Sequence, residues 1–244
     1  MRDYATAQLI GGRDNQCDAI AVYTTPSGAR AYVLLDGIGD TESVRQWTRA
    51  AARRLARTAA RHGDAESGLR AVYAAYQAEE LRRDRYARDY EPKAAAVVVV
   101  TAPGKPMTVA WCGDSRAYLL VDGTLQRLTH DHNLRRVYPP TETFPDGGNR
   151  HRITACLGSW RTDQDAMNEF NHSAIETATT PAPTGRLLLA SDGAYEPIED
   201  NGAELATYLR GTPREVARDL TETAVAWGGT RPDNATVLVA DLTA

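Results

Sequence analysis

Apolar positions along the chain change period several times, and each change marks an element. Ala19 to Thr24 and Arg30 to Leu35 are strand-like runs on either side of Pro26-Ser27-Gly28, which predicts a hairpin whose second strand ends at Asp36-Gly37. From Asp40 the period lengthens. Val44, Trp47, Ala51 and Leu55 recur at helical spacing, with Asp40 or Thr41 as cap and Gly63 as stop. A second helix is built on Leu69, Val72, Tyr73 and Tyr76 and runs into the charged stretch Glu79 to Arg88, expected to be a solvated face. Three strand-like runs follow, Ala94 to Thr101, Met107 to Cys112 and Ala117 to Val121, separated by Pro103-Gly104 and Gly113-Asp114 and closed by a turn at Asp122-Gly123.

Periodicity then fades. Asp131 to Arg152, with Pro139, Pro140, Pro145, Gly147 and Gly148, reads as a long surface loop, and Trp160 to Ser173 is similarly featureless. Arg186 to Ala190 is an apolar strand running straight into Ser191-Asp192-Gly193. Thr212, Pro213 and Glu215 form a cap, first-turn proline and capping box that open a helix carrying Val216, Leu220 and Trp227. Ala235 to Ala240 is the last strand. No repeat or low-complexity linker interrupts residues 1–244, so the pattern predicts a single α+β domain of stacked antiparallel sheets with helices on their faces.

Composition narrows the function classes. With 42% hydrophobic and 25% charged residues the chain of 244 residues can bury a sizeable core, and disordered or collagen-like chains are excluded. The absence of a run of about 18 apolar residues excludes a spanning helix, and the N-terminus lacks a secretion pattern, so a cytoplasmic location with no membrane partner is expected. A net charge of -4 without a basic stripe removes the footprint that nucleic-acid binding needs. Cys17, Cys112 and Cys156 form neither a C-x-x-C pair nor an even set, which argues against a disulfide framework or a structural zinc site.

The acidic residues carry the candidate chemistry. Asp36, Asp114, Asp192 and Asp233 sit at the ends of apolar runs, and Asp18 opens another. Hard oxygen ligands gathered on rigid strand ends are what magnesium or manganese requires. Each Asp-Gly alone is most simply a turn, a reading that holds for Asp122-Gly123, but Asp36-Gly37 precedes a helix rather than a returning strand.

Taken in order, these segments resemble the metal-dependent serine/threonine protein phosphatase family (PPM, type 2C) in its bacterial-like form. The resemblance lies in Arg13 with Asp18, Asp36-Gly37, Gly113-Asp114-Ser115-Arg116-Ala117-Tyr118, Leu128-Thr129-His130-Asp131-His132, Leu157-Gly158, Ser191-Asp192-Gly193 and Asp233-Asn234-Ala235-Thr236. Each piece is short; their shared order over about 220 residues makes the match specific. It implies a four-layer α-β-β-α sandwich of two antiparallel sheets flanked by helices, with a two-metal magnesium or manganese centre. By the same resemblance Asp36 bridges both metals, the Gly37 carbonyl binds one, Asp192 and Asp233 bind the other, and Asp114 contributes to a weaker third site. Asp18 holds metal-bound water, and Arg13 grips the substrate phosphate.

Elementary electrostatics agrees. Unit charges about 4 Å apart interact by roughly 4 kcal/mol at an effective dielectric of 20, so converging carboxylates without a cation repel or protonate. Two divalent ions turn such a cluster positive toward a phosphate and lower the pKa of a bridging water, which then attacks phosphorus in line with no phosphoenzyme. The implied activity is hydrolysis of phosphoserine and phosphothreonine on protein substrates, opposite a serine/threonine kinase; the alternative is a weak or inactive pseudophosphatase acting as a regulatory binding module.

The chain departs from the family in four places, one of them Ala94-Ala95-Ala96, where Gly-Thr-Thr usually opens the central strand. Cys17 stands before Asp18 where Glu or Gln is usual, Ile38 occupies the place of a candidate general-acid His found in some relatives, and Gly39-Asp40-Thr41 replaces Gly-Gly-His, altering the helix start. Elsewhere the bland readings stand. The His130/His132 pair is expected to pack rather than bind zinc, Cys112 and Cys156 to be core thiols, and Ser115 and Ser191 to lack a histidine partner. Arg13 alone would most simply be a surface ion pair.

Overall fold

The structure, a computed structural model, describes residues 3–81, 91–181 and 184–243. Among the described residues, ten strands form two five-stranded antiparallel sheets. One has the order β1 (Tyr4–Leu9), β10 (Ala235–Leu242), β9 (Gly185–Ala190), β6 (Arg116–Val121), β7 (Thr124–Arg127); the other runs β2 (Ala19–Thr24), β3 (Arg30–Gly37), β4 (Ala94–Thr101), β5 (Met107–Cys112), β8 (Glu176–Thr180). Helices α1 (Glu42–His62) and α2 (Ala65–Leu81) cover the second sheet, while α5 (Asp192–Asp200) and α7 (Pro213–Trp227) cover the first. This is the expected α+β, four-layer α-β-β-α sandwich.

Strand alternation builds three apolar layers. Leu34, Val97, Val99 and Trp111 face Leu119, Leu187, Leu189 and Leu238 between the sheets. Their neighbours Val33, Leu35, Val98 and Val100 turn outward onto Ala51, Leu55, Ala59, Leu69 and Val72 of α1 and α2. Leu188, Val237 and Val239 do the same against Tyr195, Ile198, Val216 and Leu220. Central strands are therefore apolar on both faces and read in the sequence as unbroken runs.

Several elements depart from the expectation. β1, β7 and β8 lie at sheet margins; each pairs on one side only and keeps exposed positions, so none carries an unbroken apolar run. In Trp160 to Ser173 a helix α4 (Asp163–Phe170) opens on a capping box of Thr162 and Asp165, but its only buried residue is Ala166, too little to leave a period. The strand ending at Ala190 passes at once into α5, whose first residue is Asp192 and which tolerates Pro197. Thr41, not Asp40, caps α1 by accepting the Val44 N–H. Trp227 is 41% exposed rather than packed with Val216 and Leu220.

The segment Asp131 to Arg152 is a loop with one helical turn, α3 (Leu134–Val137), and Leu134 N–H donates to the Arg152 carbonyl at 3.0 Å. The remaining short helix is α6 (Leu205–Tyr208). Of the charged stretch expected to be solvated, Glu79 is exposed and residues 82–88 lie outside the described residues.

Candidate metal centre

Five segments remote in sequence meet at one end of the sandwich. β3 delivers Asp36 and Gly37, the β5–β6 turn Asp114, the first turn of α5 Asp192, the approach to β10 Asp233, and the loop between β1 and β2 Arg13. They line one cavity of about 220 Å³, together with Ile38, Gly39, His151 and Ile153. Asp18 is buried behind it, close enough for its charge to act on Asp36 and to feel those of Asp192 and Asp233. All the acidic residues singled out in the sequence are thus brought together.

The local chain explains the gathering. Asn234 is a double clamp: its Oδ1 accepts the Cys17 N–H at 2.7 Å and its Nδ2 donates to the Ile10 carbonyl at 2.9 Å, tying the Arg13 loop to the start of β10. The Ser191 N–H donates to the Thr236 carbonyl at 3.0 Å, which fixes Asp192 beside Asp233. Tyr195 Oη donates to the Asp114 carbonyl at 3.0 Å. Gly37 must lack a side chain, because a Cβ there would lie 2.6 Å from both the Cys17 carbonyl oxygen and Thr48 Oγ1.

The electrostatics are those of several carboxyl groups crowded into one largely buried space. Burial, followed by the charges of Asp18, Asp192 and Asp114, pushes the Asp36 carboxyl well above the usual range. Asp114 is raised by burial and by Asp192, Asp131 and Glu196. Asp18 is pushed up to about 8 by burial and the charges of Asp192 and Asp233, although the hydroxyls of Thr236 and Ser191 oppose the shift. Asp233 rises for the same first two causes, burial and Asp192, with Arg13 pulling it back. Asp18 Oδ2 and Asp114 Oδ1 are buried with no hydrogen-bond partner. Orphaned buried carboxylate oxygens, several carboxylates in one cavity and a backbone carbonyl position at Gly37 form a hard-oxygen donor set, and this set fits divalent cations.

Other expectations resolve plainly. Arg13 is in the cavity wall, but its Nη2 donates to Asp233 Oδ2 at 2.5 Å, so the guanidinium bonds one of the acidic residues. Cys17 is buried, its thiol raised above its ordinary pKa mainly by burial, and its Sγ lies 3.7 Å from the Thr41 carbonyl oxygen. His132 is buried against Glu176 at 3.1 Å and stacked on His172, whereas His130 is exposed; the pair makes no joint site. Cys112 is fully buried and Cys156 partly so. The Ser191 hydroxyl is taken up by the Asn234 and Thr236 backbone.

Two residues escaped the sequence reading. His151 and Glu196 present ligand atoms within 4.8 Å of each other and of one from Asp192. His151 sits in an aperiodic loop and gives no local signal. Glu196 is four residues beyond Asp192 on α5, so reading Asp192 as a helix start would have put both on one face.

Two antiparallel sheets flanked by helices, with an acidic, cation-fitting cavity at one end, define the class. Residues 29–137 match the family model for Protein phosphatase 2C, so the chain is similar to that phosphatase family over this stretch. Among individual proteins it is similar to the serine/threonine protein phosphatase PstP of Mycobacterium tuberculosis, 32% identical over 158 residues covering 63% of this chain and 28% of that one. The chain thus matches little more than a quarter of PstP. Among solved structures, the PPM Ser-Thr phosphatase MsPP of Mycobacterium smegmatis, in complex with cacodylate, is 26% identical with a TM-score of 0.70, covering 98% of each chain. The S. agalactiae serine/threonine phosphatase shares the fold, with a TM-score of 0.75 at 20% identity over 98% of this chain and 99% of that one. Among the described residues no helix is long and apolar enough to cross a membrane.

Proposed function

We propose that this chain is a magnesium- or manganese-dependent phosphatase that removes phosphate from phosphoserine and phosphothreonine in proteins, acting in the cytoplasm opposite a serine/threonine kinase. The observation that carries the reading is the convergence of Asp18, Asp36, Asp114, Asp192 and Asp233 with two buried carboxylate oxygens left unpartnered. A scaffold alone has no physical reason to hold such charges together.

In this reading Asp36, the Gly37 carbonyl, Asp192 and Asp233 would hold two cations, Asp114 would serve a third, and Asp18 would hold water at the same site. Divalent ions at such a site supply charge neutralisation and the acidification of water for in-line attack on phosphorus. The protein's own part is positioning. The strand ends fix the carboxylates, Arg13 supplies a two-pronged donor for phosphate oxygens once Asp233 is engaged by a cation, and Ile38, 43% exposed, gives the rim an apolar rather than a protonating group. Leaving-group protonation then falls to solvent.

The experiment compares hydrolysis of p-nitrophenyl phosphate and of a phosphothreonine peptide with manganese, with chelator, and in Asp36→Asn and Asp192→Asn. Loss of about 100-fold or more is expected on chelation and in each variant, the scale of removing several kcal/mol of charge stabilisation. Turnover indifferent to manganese and to both variants overturns the metal mechanism. Tight phosphopeptide binding without turnover identifies the regulatory binding module instead, the outcome that the Arg13–Asp233 pair and Cys17 would favour.

A further inference from the structure

The loop that carries Arg13 is held at four places. Asn234 clamps its two ends, at Ile10 and Cys17. The Gly12 N–H donates to the Pro232 carbonyl at 2.8 Å. Its middle is held by Asp40, which follows the cavity-lining Gly39 and which the cap of α1 does not use. Asp40 Oδ2 accepts the Asp14 N–H at 3.0 Å, and Asp40 Oδ1 accepts the Asn15 N–H at 2.7 Å. Asn15 Nδ2 answers by donating to the Asp40 carbonyl at 3.2 Å.

Both carboxylate oxygens are thus spent on consecutive backbone amides immediately after Arg13. Amide donors to a carboxylate are charge-assisted, and two on one rigid group fix orientation as well as distance. The hydrogen bonds with Asp14 and Asn15 hold the Asp40 carboxyl below its ordinary range, so it stays ionised. Its flank faces Arg231, whose Nη2 is 3.7 Å from Asp40 Oδ2 and whose Nε donates to the Gly12 carbonyl at 3.3 Å. Asp40 and Arg231 therefore brace the same loop from two directions.

We propose that Asp40 is the positioning residue for Arg13: by pinning the Asp14 and Asn15 amides it sets where the guanidinium stands over the cavity and so the affinity for the substrate phosphate. The proposal rests on the phosphatase reading for the identity of that ligand. It also gives a use to the carboxylate in the Gly39-Asp40-Thr41 stretch, where the sequence alone offered only an altered helix start.

The test is a double-mutant cycle of Asp40→Ala and Arg13→Ala, with Asp40→Asn as the conservative variant, since Asn retains an acceptor oxygen. kcat and KM are measured on the phosphothreonine peptide with manganese. The dissociation constant of inorganic phosphate is measured calorimetrically on the manganese-loaded protein, and thermal midpoints report folding. Asp40→Ala is expected to raise KM and the phosphate constant by about fivefold or more with kcat within about twofold. Asp40→Asn keeps one acceptor but turns its NH2 toward the other amide, so it should recover only part of the loss; in the Arg13→Ala background Asp40→Ala should add less than about twofold, because coupled residues are not additive.

A phosphate constant unmoved by Asp40→Ala, or moved by the same factor with and without Arg13, overturns the proposal and leaves Asp40 a structural brace. Wild-type protein that binds phosphate without hydrolysing the peptide overturns the phosphatase reading alone, because the cycle is then read from the phosphate constant. Wild-type protein that neither binds phosphate nor turns over overturns both.

Discussion

Replacing Asp18 with asparagine should stabilise the metal-free protein at alkaline pH. Asp18 is 2% exposed, its Oδ2 is unpartnered, and burial together with the charges of Asp192 and Asp233 pushes its carboxyl to about 8. In the unfolded chain the same group ionises near 4. Between those values the folded state binds a proton that the unfolded state has released. The contribution to stability is therefore complete below about pH 4 and declines as pH rises toward 8.

At about 1.4 kcal/mol per pH unit, the full span caps the loss at roughly 6 kcal/mol. Neighbouring carboxylates adjust their own protonation, so a net effect of about 2 kcal/mol is the working expectation. For a chain of this length that shifts the thermal midpoint by roughly 4–8 °C. Asparagine is nearly isosteric with the neutral acid and does not titrate. Thermal unfolding in chelator should show Asp18→Asn above wild type at pH 8 and the two converging at pH 5. Millimolar manganese should reverse the order, since only the wild type presents the full charge to a cation. A variant no more stable than wild type at pH 8 in chelator, or a gap that does not shrink by pH 5, would refute the reasoning.

Three further outcomes follow from the packing. Arg116 is 7% exposed, bidentate to Asp131 at 2.9 and 2.7 Å, bonded to the exposed Glu199 at 2.9 Å and stacked 3.6 Å over the Tyr195 ring, so Arg116→Ala strands the largely buried Asp131 carboxylate and should cost about 3 kcal/mol in denaturant unfolding. Gly113 has φ +117°, and a Cβ there would stand 2.4 Å from Ala95 Cβ; Gly113→Ala should lose at least about 2 kcal/mol, read as a lower thermal midpoint. The buried His132 has its pKa lowered to about 4, chiefly by burial, with Glu176 opposing. A depressed histidine contributes stability above its unfolded pKa near 6.5 that is lost as pH falls toward 4, so the acid-side decline measured between pH 6.5 and 4 should be shallower in His132→Gln.

Much of this protein was legible before any coordinates. Strands apolar on both faces announce themselves by composition, because two buried faces leave no polar positions. The capping box at Thr212 and Glu215 marks α7, and Asp36-Gly37 is set apart from a turn by the helix that follows it. The acidic candidates stood out as carboxylates at the ends of apolar runs, whereas the roles given to them, to Gly37 and to Arg13 came from the family resemblance.

What the linear chain could not decide were contacts whose partners lie far along it. The marginal strands β1 and β8 exist only because β10 and β5 offer open hydrogen-bonding edges; their own residues bury too little to signal it. Likewise, His151 joins the cavity wall through a loop without period, and Arg13 and Asp233, 220 positions apart, meet only when the sheets stack. Local preference acts over a few residues. The pKa of a buried carboxyl, the clamp of Asn234 and the grip of Asp40 on a neighbouring loop depend on distances that only the assembled core sets.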